Sequence, residues 1–309
     1  KAVRKIDKRH LFTLEGHHWA SETSIFHKKY DEKMVIHFHR YGCLPDLSCY
    51  QEFLEISRKL DCPVWLGETG ENVMEWFTAM YPLAAELSIG YNLWPFKKMG
   101  STNSPCRIRK PRDWELLTGY ADGGKHPGYE KARGILEEYL ENIKIANCEL
   151  HPEVTKAAFR QPGCVIRGTD FDQFPGKGIS CSGIFQGENS YGFRAGMGME
   201  IKNRFPDHKQ EFGFDCGWKR FVLALGESEF ACYSLLDVCA GSRLWIHLFV
   251  DEDAQVAVSA GDKTLEKSML AAGGDRQEIG PVDLPEGERV VVRITASSGR
   301  VEIEEIVTE

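Results

Sequence analysis

Met34-Val-Ile-His-Phe-His-Arg-Tyr41 and Pro63-Val-Trp-Leu-Gly-Glu-Thr-Gly70 are the two stretches on which the fold turns. Each is a short, nearly continuous apolar run closing on polar or aromatic residues, as expected of a strand covered on both faces. Two similar runs, Leu11–Glu15 and Ile89–Trp94, flank them, and the text between is amphipathic at helical spacing. Four strands alternating with helices predict consecutive β/α units of a parallel sheet. Between the second and third runs, Ser48-x-x-Gln51 has the form of a capping box opening a helix that carries Phe53, Leu54 and Leu60. Between the third and fourth, Trp76, Phe77 and Met80 share a helical face, and Pro82 is expected to interrupt it and open a new short helix.

Beyond Trp94 comes a loop rich in Ser, Pro and Lys. Tyr129, Ala132, Leu136, Tyr139, Ile143 and Ala146 then make one apolar face, predicting a closing helix packed outside the sheet. Residues 151–164 are expected to be a linker. From Val165 onward helical periodicity gives way to β-type runs with Gly-rich turns, at Gly192–Ile201, Lys219–Leu225, Leu244–Val250, Ala254–Val258 and Arg289–Thr295. That pattern predicts a self-contained β-sandwich over 165–309, following an α/β unit over 1–150.

The 309 residues are 42% hydrophobic, enough for two ordinary domains, and the net charge of −8 comes with scattered rather than clustered Lys and Arg. Such a surface argues against nucleic acid and anionic lipid as partners. The densest apolar stretch, Leu244 to Val250, is strand-length, well short of the ~20 residues of a membrane-spanning helix. Ten cysteines lie without CxxC pairs or zinc-site spacing, and buried free thiols are expected, as at Cys62, Cys232 and Cys239. The chain opens on Lys1 with no leader pattern, so material upstream is expected to have been removed.

In a closed β/α barrel the reacting groups stand at the C-terminal strand ends. Here those ends supply Glu15, then His39 with Tyr41, then Glu68, then Trp94. Each alone could be a solvated or core residue, whereas four in succession at equivalent positions point to a cleft. A carboxylate flanked by a hydroxyl and an imidazole can act as a nucleophile, and a tryptophan face suits the C–H groups of a sugar ring.

Val35-Ile-His-Phe-His-Arg-Tyr41 is similar to the strand of glycoside hydrolase family 5 that ends in His-x-Tyr. Pro63-Val-Trp-Leu-Gly-Glu-Thr-Gly70 resembles that family's next strand, whose Gly-Glu-x-Gly holds the catalytic nucleophile. Ile89-Gly-Tyr-Asn-Leu-Trp-Pro-Phe-Lys97 is similar to its last strand, and Ile6-Asp7 through His10 and Glu15-Gly16 to Trp19 resemble the strand before. The resemblance spans about the first 115 residues firmly and reaches more loosely to residue 150. It implies the last four β/α units of a partial (β/α)₈ TIM barrel, with Glu68 as nucleophile, His39 and Tyr41 beside it, and Trp94, Trp19 and Glu15 along the substrate groove. It implies retaining hydrolysis of β-linked polysaccharides or oligosaccharides by a secreted protein, without a cofactor and without a metal at the site. The family's acid/base Glu, which follows an Asn at an earlier strand end, has no counterpart in the first hundred residues, so this chain alone is expected to be inactive. A non-catalytic carbohydrate-binding protein is the alternative.

The segment from Val165 resembles a carbohydrate-binding module of family 6, a jelly-roll-like sandwich. The likeness rests on Phe193-Arg194, Met197-Gly-Met-Glu-Ile201, Phe214 to Phe221 with Trp218, and Gly299-Arg-Val-Glu-Ile-Glu-Glu-Ile306. It implies sugar stacking on Trp218 or a neighbouring exposed aromatic. Ile166-Arg-Gly-Thr-Asp170 stands where the family has the Glu-Ala-Glu that helps hold structural calcium, leaving Asp170, Asp172 and Glu304 as a weakened calcium site.

Overall fold

A computed structural model describes residues 2–172, 180–209 and 217–309. Phe214 and Cys216, which the sequence reading touched, lie outside the described residues.

The N-terminal unit runs β1 (Phe12–Glu15), a short turn of helix α1 (His17–Ala20), β2 (Met34–Arg40), α2 (Ser48–Leu60), β3 (Val64–Gly70), α3 (Met74–Glu86) and β4 (Gly90–Trp94). The four strands form one parallel sheet in sequential order. Two strand ends differ from the sequence reading: β2 stops at Arg40, one residue short of Tyr41, and β3 runs past Glu68 to Gly70. Met34, Ile36, Phe38 and Leu66 are buried in one core with Tyr50, Phe53, Trp76, Phe77 and Tyr81, and Phe38 stacks on Phe53 at 4.2 Å. Alternation along a strand sends Val35, His37 and His39 to the opposite face.

Two local expectations change. The Ser48 and Gln51 side chains do not form a capping box. Asp46, two residues upstream, accepts from the Ser48 N–H at 2.9 Å and from its hydroxyl, while Gln51 turns along the helix to Glu55. Pro82 does not end a helix but lies inside α3. A proline there leaves the carbonyl four residues earlier without its helical donor. That carbonyl belongs to Thr78, and the Arg160 Nε donates to it at 2.5 Å. A partner distant in sequence supplies the missing bond, and the helix continues through the proline.

A small sheet follows, of β5 (Lys97–Met99), β6 (Cys106–Ile108) and β7 (Glu149–Leu150), with α4 (Trp114–Ala121) and α5 (Tyr129–Asn142) between the last two. The predicted closing helix is therefore present, but its expected packing is not. Of its residues only Ile135 is buried, Tyr139 meets Trp114 of α4, and Tyr129, Leu136 and Leu140 are exposed.

The stretch read as a linker holds α6 (Pro152–Phe159), which packs on α3. Its last turn ends at Arg160, a left-handed residue whose side chain is buried. The guanidinium donates to Asp172 Oδ1 (2.8 Å) and to the Asp170 carbonyl (2.7 Å) as well as to Thr78. Next to it, Arg194 donates to the Thr169 and Phe171 carbonyls, and its backbone N–H reaches Asp46 at 2.8 Å. These bonds join the helix layer of the parallel sheet to the C-terminal half, and the two share one apolar core.

The C-terminal half is a two-sheet β-sandwich. One sheet holds β15 (Arg276–Asp283), β12 (Arg243–Phe249), β17 (Val301–Thr308), β10 (Phe221–Leu225) and β9 (Glu200–Asn203), with β8 (Val165–Arg167) also paired to β17. The other runs β11 (Phe230–Val238), β16 (Gly287–Ser298), β13 (Ala254–Ala260) and β14 (Lys263–Leu270). The run Gly192–Ile201 is mostly turn, and only its last two residues enter β9. Along β12, Leu244, Ile246 and Leu248 are fully buried, while His247 lies on the other face between Glu278 and Glu305, 3.0 Å from each. The nine described cysteines are free thiols; Cys62 and Cys232 are buried as expected, but Cys239, beyond the end of β11, is exposed.

Asp170 is fully buried, and one of its carboxylate oxygens has no hydrogen-bond partner. Burial raises its pKa from 3.8 to about 6, against the pull of Arg194 and Arg160. The folded protein thus holds this proton more tightly than the unfolded chain, and the group's stabilising contribution is lost as pH rises from about 4 through 6. Over those roughly 2 pH units the loss is on the order of 3 kcal/mol. Asp170→Asn is expected to remove this dependence, so that denaturation midpoints of variant and parent diverge between pH 4 and 7 in the variant's favour. Parallel profiles would show that Asp170 does not titrate there.

Candidate functional site

The polar face of the parallel sheet brings most of the predicted strand-end residues together. Register pairs Glu15 with His37 and His39 with Glu68, and sets Gly70 beside Trp94. Between Leu66 and Thr69 the register of β3 slips by one residue against both neighbours. Such a bulge re-aims the side chain that follows it. Glu68 consequently shares the face of His39, its Oε2 lying 3.3 Å from the His39 Nδ1. The Tyr41 hydroxyl donates to the same oxygen at 3.1 Å. Burial, then the adjacent carboxylate, pushes the Tyr41 hydroxyl well above its ordinary pKa, so it remains a donor throughout the physiological range.

Close approach explains both glycines of Gly67-Glu-Thr-Gly70. A Cβ on Gly67 would stand 1.6 Å from the His37 Nε2, and one on Gly70, whose φ is +149°, would stand 2.2 Å from the Trp94 carbonyl oxygen. The histidine ring and the neighbouring strand occupy the space any side chain would need.

His37 escaped the sequence reading although it lies two residues from His39, and the period of a strand puts both on one face. It is 9% exposed and His39 is 7% exposed. Their Nε2 atoms are 3.1 Å apart, His37 Nδ1 is 2.8 Å from Glu15 Oε1, and the His37 ring lies over Trp65 at 4.6 Å. Burial lowers the His37 pKa despite the pull of Glu15. Glu15 is therefore a partner of His37 before it is anything to a substrate.

Trp94 is 47% exposed at the end of β4, and Trp19 is 87% exposed on the turn after β1. Both rings are available to stack on a ligand. Trp218 is not: it is fully buried, and its indole Nε1 donates to Asp170 Oδ1 at 3.4 Å. The expectation of sugar stacking on Trp218 is corrected, because a ring inside the core has no face to offer. Tyr191, which no motif marked, is the exposed ring nearby, packed against Phe221.

Of the three carboxylates considered for calcium, Asp172 and Glu304 pair with arginines, and Asp170 keeps one oxygen without a hydrogen-bond partner. Asp172 accepts from Arg160 and from Ser234, Asp170 accepts from Trp218, and Glu304 pairs with Arg276 and Arg167. Among the described residues no helix is long and apolar enough to cross a membrane.

The chain matches no protein-family profile and no curated protein sequence. Similarity to solved structures covers about half of the chain. A family 6 carbohydrate-binding module of Clostridium stercorarium in complex with cellobiose shares 10% identity over 47% of this chain and 92% of its own, with a TM-score of 0.31. A family 36 carbohydrate-binding module solved with calcium and xylotriose shares 8% over 47% and 98%, with a TM-score of 0.30. A family 26 β-(1,4)-mannanase of Podospora anserina carrying a family 35 module shares 9% over 47% and 26%, with a TM-score of 0.29.

Proposed function

We propose that this chain is the nucleophile-bearing half of a retaining glycoside hydrolase acting on β-linked polysaccharides outside the cell, with its parallel sheet forming the last four β/α units of a barrel and the sandwich serving as an accessory module. The observation that carries the reading is the grouping of Glu68, Tyr41 and His39 at the C-terminal end of a parallel sheet, with Trp94 on the adjoining strand. Glu68 attacks the anomeric carbon, the Tyr41 hydroxyl fixes the attacking carboxylate, and Trp94 supports the sugar ring. Retention also needs a second carboxylic acid to protonate the leaving oxygen. Glu15, on the outermost of the four strands, is held by His37 and is not assigned that role.

This division of labour suggests a test that needs only the nucleophile. A dinitrophenyl 2-deoxy-2-fluoro-β-cellobioside has a leaving group that departs without protonation, so the 309-residue chain is expected to acquire one fluorocellobiosyl group, located on Glu68 by peptide mass mapping. Unactivated cello- and manno-oligosaccharides are expected to remain uncut by the same preparation. Sugar binding that depends on Trp94 but leaves Glu68 unlabelled would instead favour a non-catalytic carbohydrate-binding protein.

A further inference from the structure

His37 and His39 present their Nε2 atoms to each other at 3.1 Å on the polar face of the sheet, nearly out of solvent. Each ring has a carboxylate at its other nitrogen: Glu15 lies 2.8 Å from His37 Nδ1, and Glu68 lies 3.3 Å from His39 Nδ1. The His39–Glu68 approach is an ion-pair distance without hydrogen-bond alignment. The two Nε2 atoms lie at hydrogen-bond distance, so either one ring donates to the other or both accept a shared cation.

We propose that His37 and His39, oriented by Glu15, form a binding site for a divalent transition-metal ion of the zinc class. Two nitrogens at ordinary zinc–nitrogen distance in a tetrahedral shell stand roughly 3.3 Å apart, close to the separation found here. A carboxylate behind a histidine favours the tautomer that leaves Nε2 free to bind, and Glu15 lies 2.8 Å from His37 Nδ1 in that position. Glu15, His37 and His39 also bring donor atoms within 4.8 Å of one another, the one such cluster among the described residues. A neutral N–H···N hydrogen bond between the two rings is the competing arrangement. The rigidity of the pair has a specific source, since Gly67 leaves the space into which the His37 ring fits. The site adjoins the proposed glycosidase centre through His39, whose Nδ1 faces Glu68, although neither Nε2 is needed for Glu68 to attack a sugar.

The test is calorimetric titration of chelator-treated full chain with zinc, together with absorption spectra of the cobalt(II) form. One saturable site is expected. Its affinity should fall at least about a hundredfold in His37→Gln and in His39→Gln, and about ten- to a hundredfold in Glu15→Gln. Gly67→Ala, which keeps both histidines but fills the space under His37, is expected to weaken binding as well. Circular dichroism establishes that each variant is folded. The cobalt spectrum should show visible bands of a nitrogen and oxygen shell without the thiolate charge-transfer band that free cysteines would give. Absence of saturable binding in the parent chain would overturn the proposal whatever the variants do. So would binding that survives both histidine substitutions, which would belong to exposed histidines such as His17 and His18 or to thiols.

Discussion

Replacing Arg160 by leucine is expected to cost about 3–5 kcal/mol of stability, the range for removing one partner of a buried ion pair. The side chain is buried, and three acceptors depend on it: the Thr78 carbonyl, the Asp170 carbonyl and Asp172 Oδ1. The Thr78 carbonyl has no helical alternative because Pro82 lacks the N–H that would reach it. Asp172 would keep Ser234 as a donor but lose its countercharge inside the core. With total stabilities of about 5–15 kcal/mol for ordinary domains, the loss is a large fraction of the whole. Denaturant unfolding of parent, Arg160→Leu, Asp172→Asn and the double variant measures it. The double variant should be more stable than Arg160→Leu alone, because neutralising Asp172 removes the stranded charge. A single-variant loss under about 1 kcal/mol would show that Arg160 contributes little to the seam between the two halves.

Glu68→Gln is expected to abolish both the fluoroglycoside labelling and any turnover of dinitrophenyl β-cellobioside by the chain. An amide cannot form the glycosyl-enzyme bond, so the covalent route is removed. Tyr41→Phe should behave differently. It deletes the 3.1 Å hydrogen bond to Glu68 and leaves the carboxylate in place, so labelling is expected to slow by about a hundredfold or more rather than cease, on the scale of losing one preorganised donor. The comparison separates a carboxylate that attacks from one that merely lines a cleft. Labelling of Glu68→Gln at the parent rate would place the nucleophile elsewhere, and an unaltered rate in Tyr41→Phe would remove that hydroxyl from the site.

The four parallel strands and the polar groups at their ends were legible in the sequence because periodicity is a local property. A strand buried on both faces must read as a nearly continuous apolar run, and the residues that close Met34–Tyr41 and Val64–Gly70 are those that lie near each other in space. The two-residue period also placed His37 beside His39, a signal present in the text though not used. What periodicity could not supply was the bulge at Gly67–Glu68, since a slip of register depends on how neighbouring strands pair rather than on the composition of either. Trp218 shows the same limit. A tryptophan in a β-rich segment reads equally as a stacking platform or a core residue, and only the packing around Asp170 decided for the core.

Residues 151–164 show why the remainder was out of reach. Composition alone made them a connection, yet they hold α6 and Arg160, whose partners are Thr78 on one side and Asp170 and Asp172 on the other. By itself the sequence determined the four parallel strands, the shared face of His37 and His39 and the chemistry gathered at the sheet's C-terminal end, but neither α6 nor the face of Glu68. Tertiary structure alone decided that Pro82 could stay inside a helix and that two buried arginines would join the sheet's helix layer to the sandwich. The physical reason is that a buried charge or an orphaned carbonyl is tolerated only where a partner arrives, and that partner is brought by the fold from residues far away in the chain.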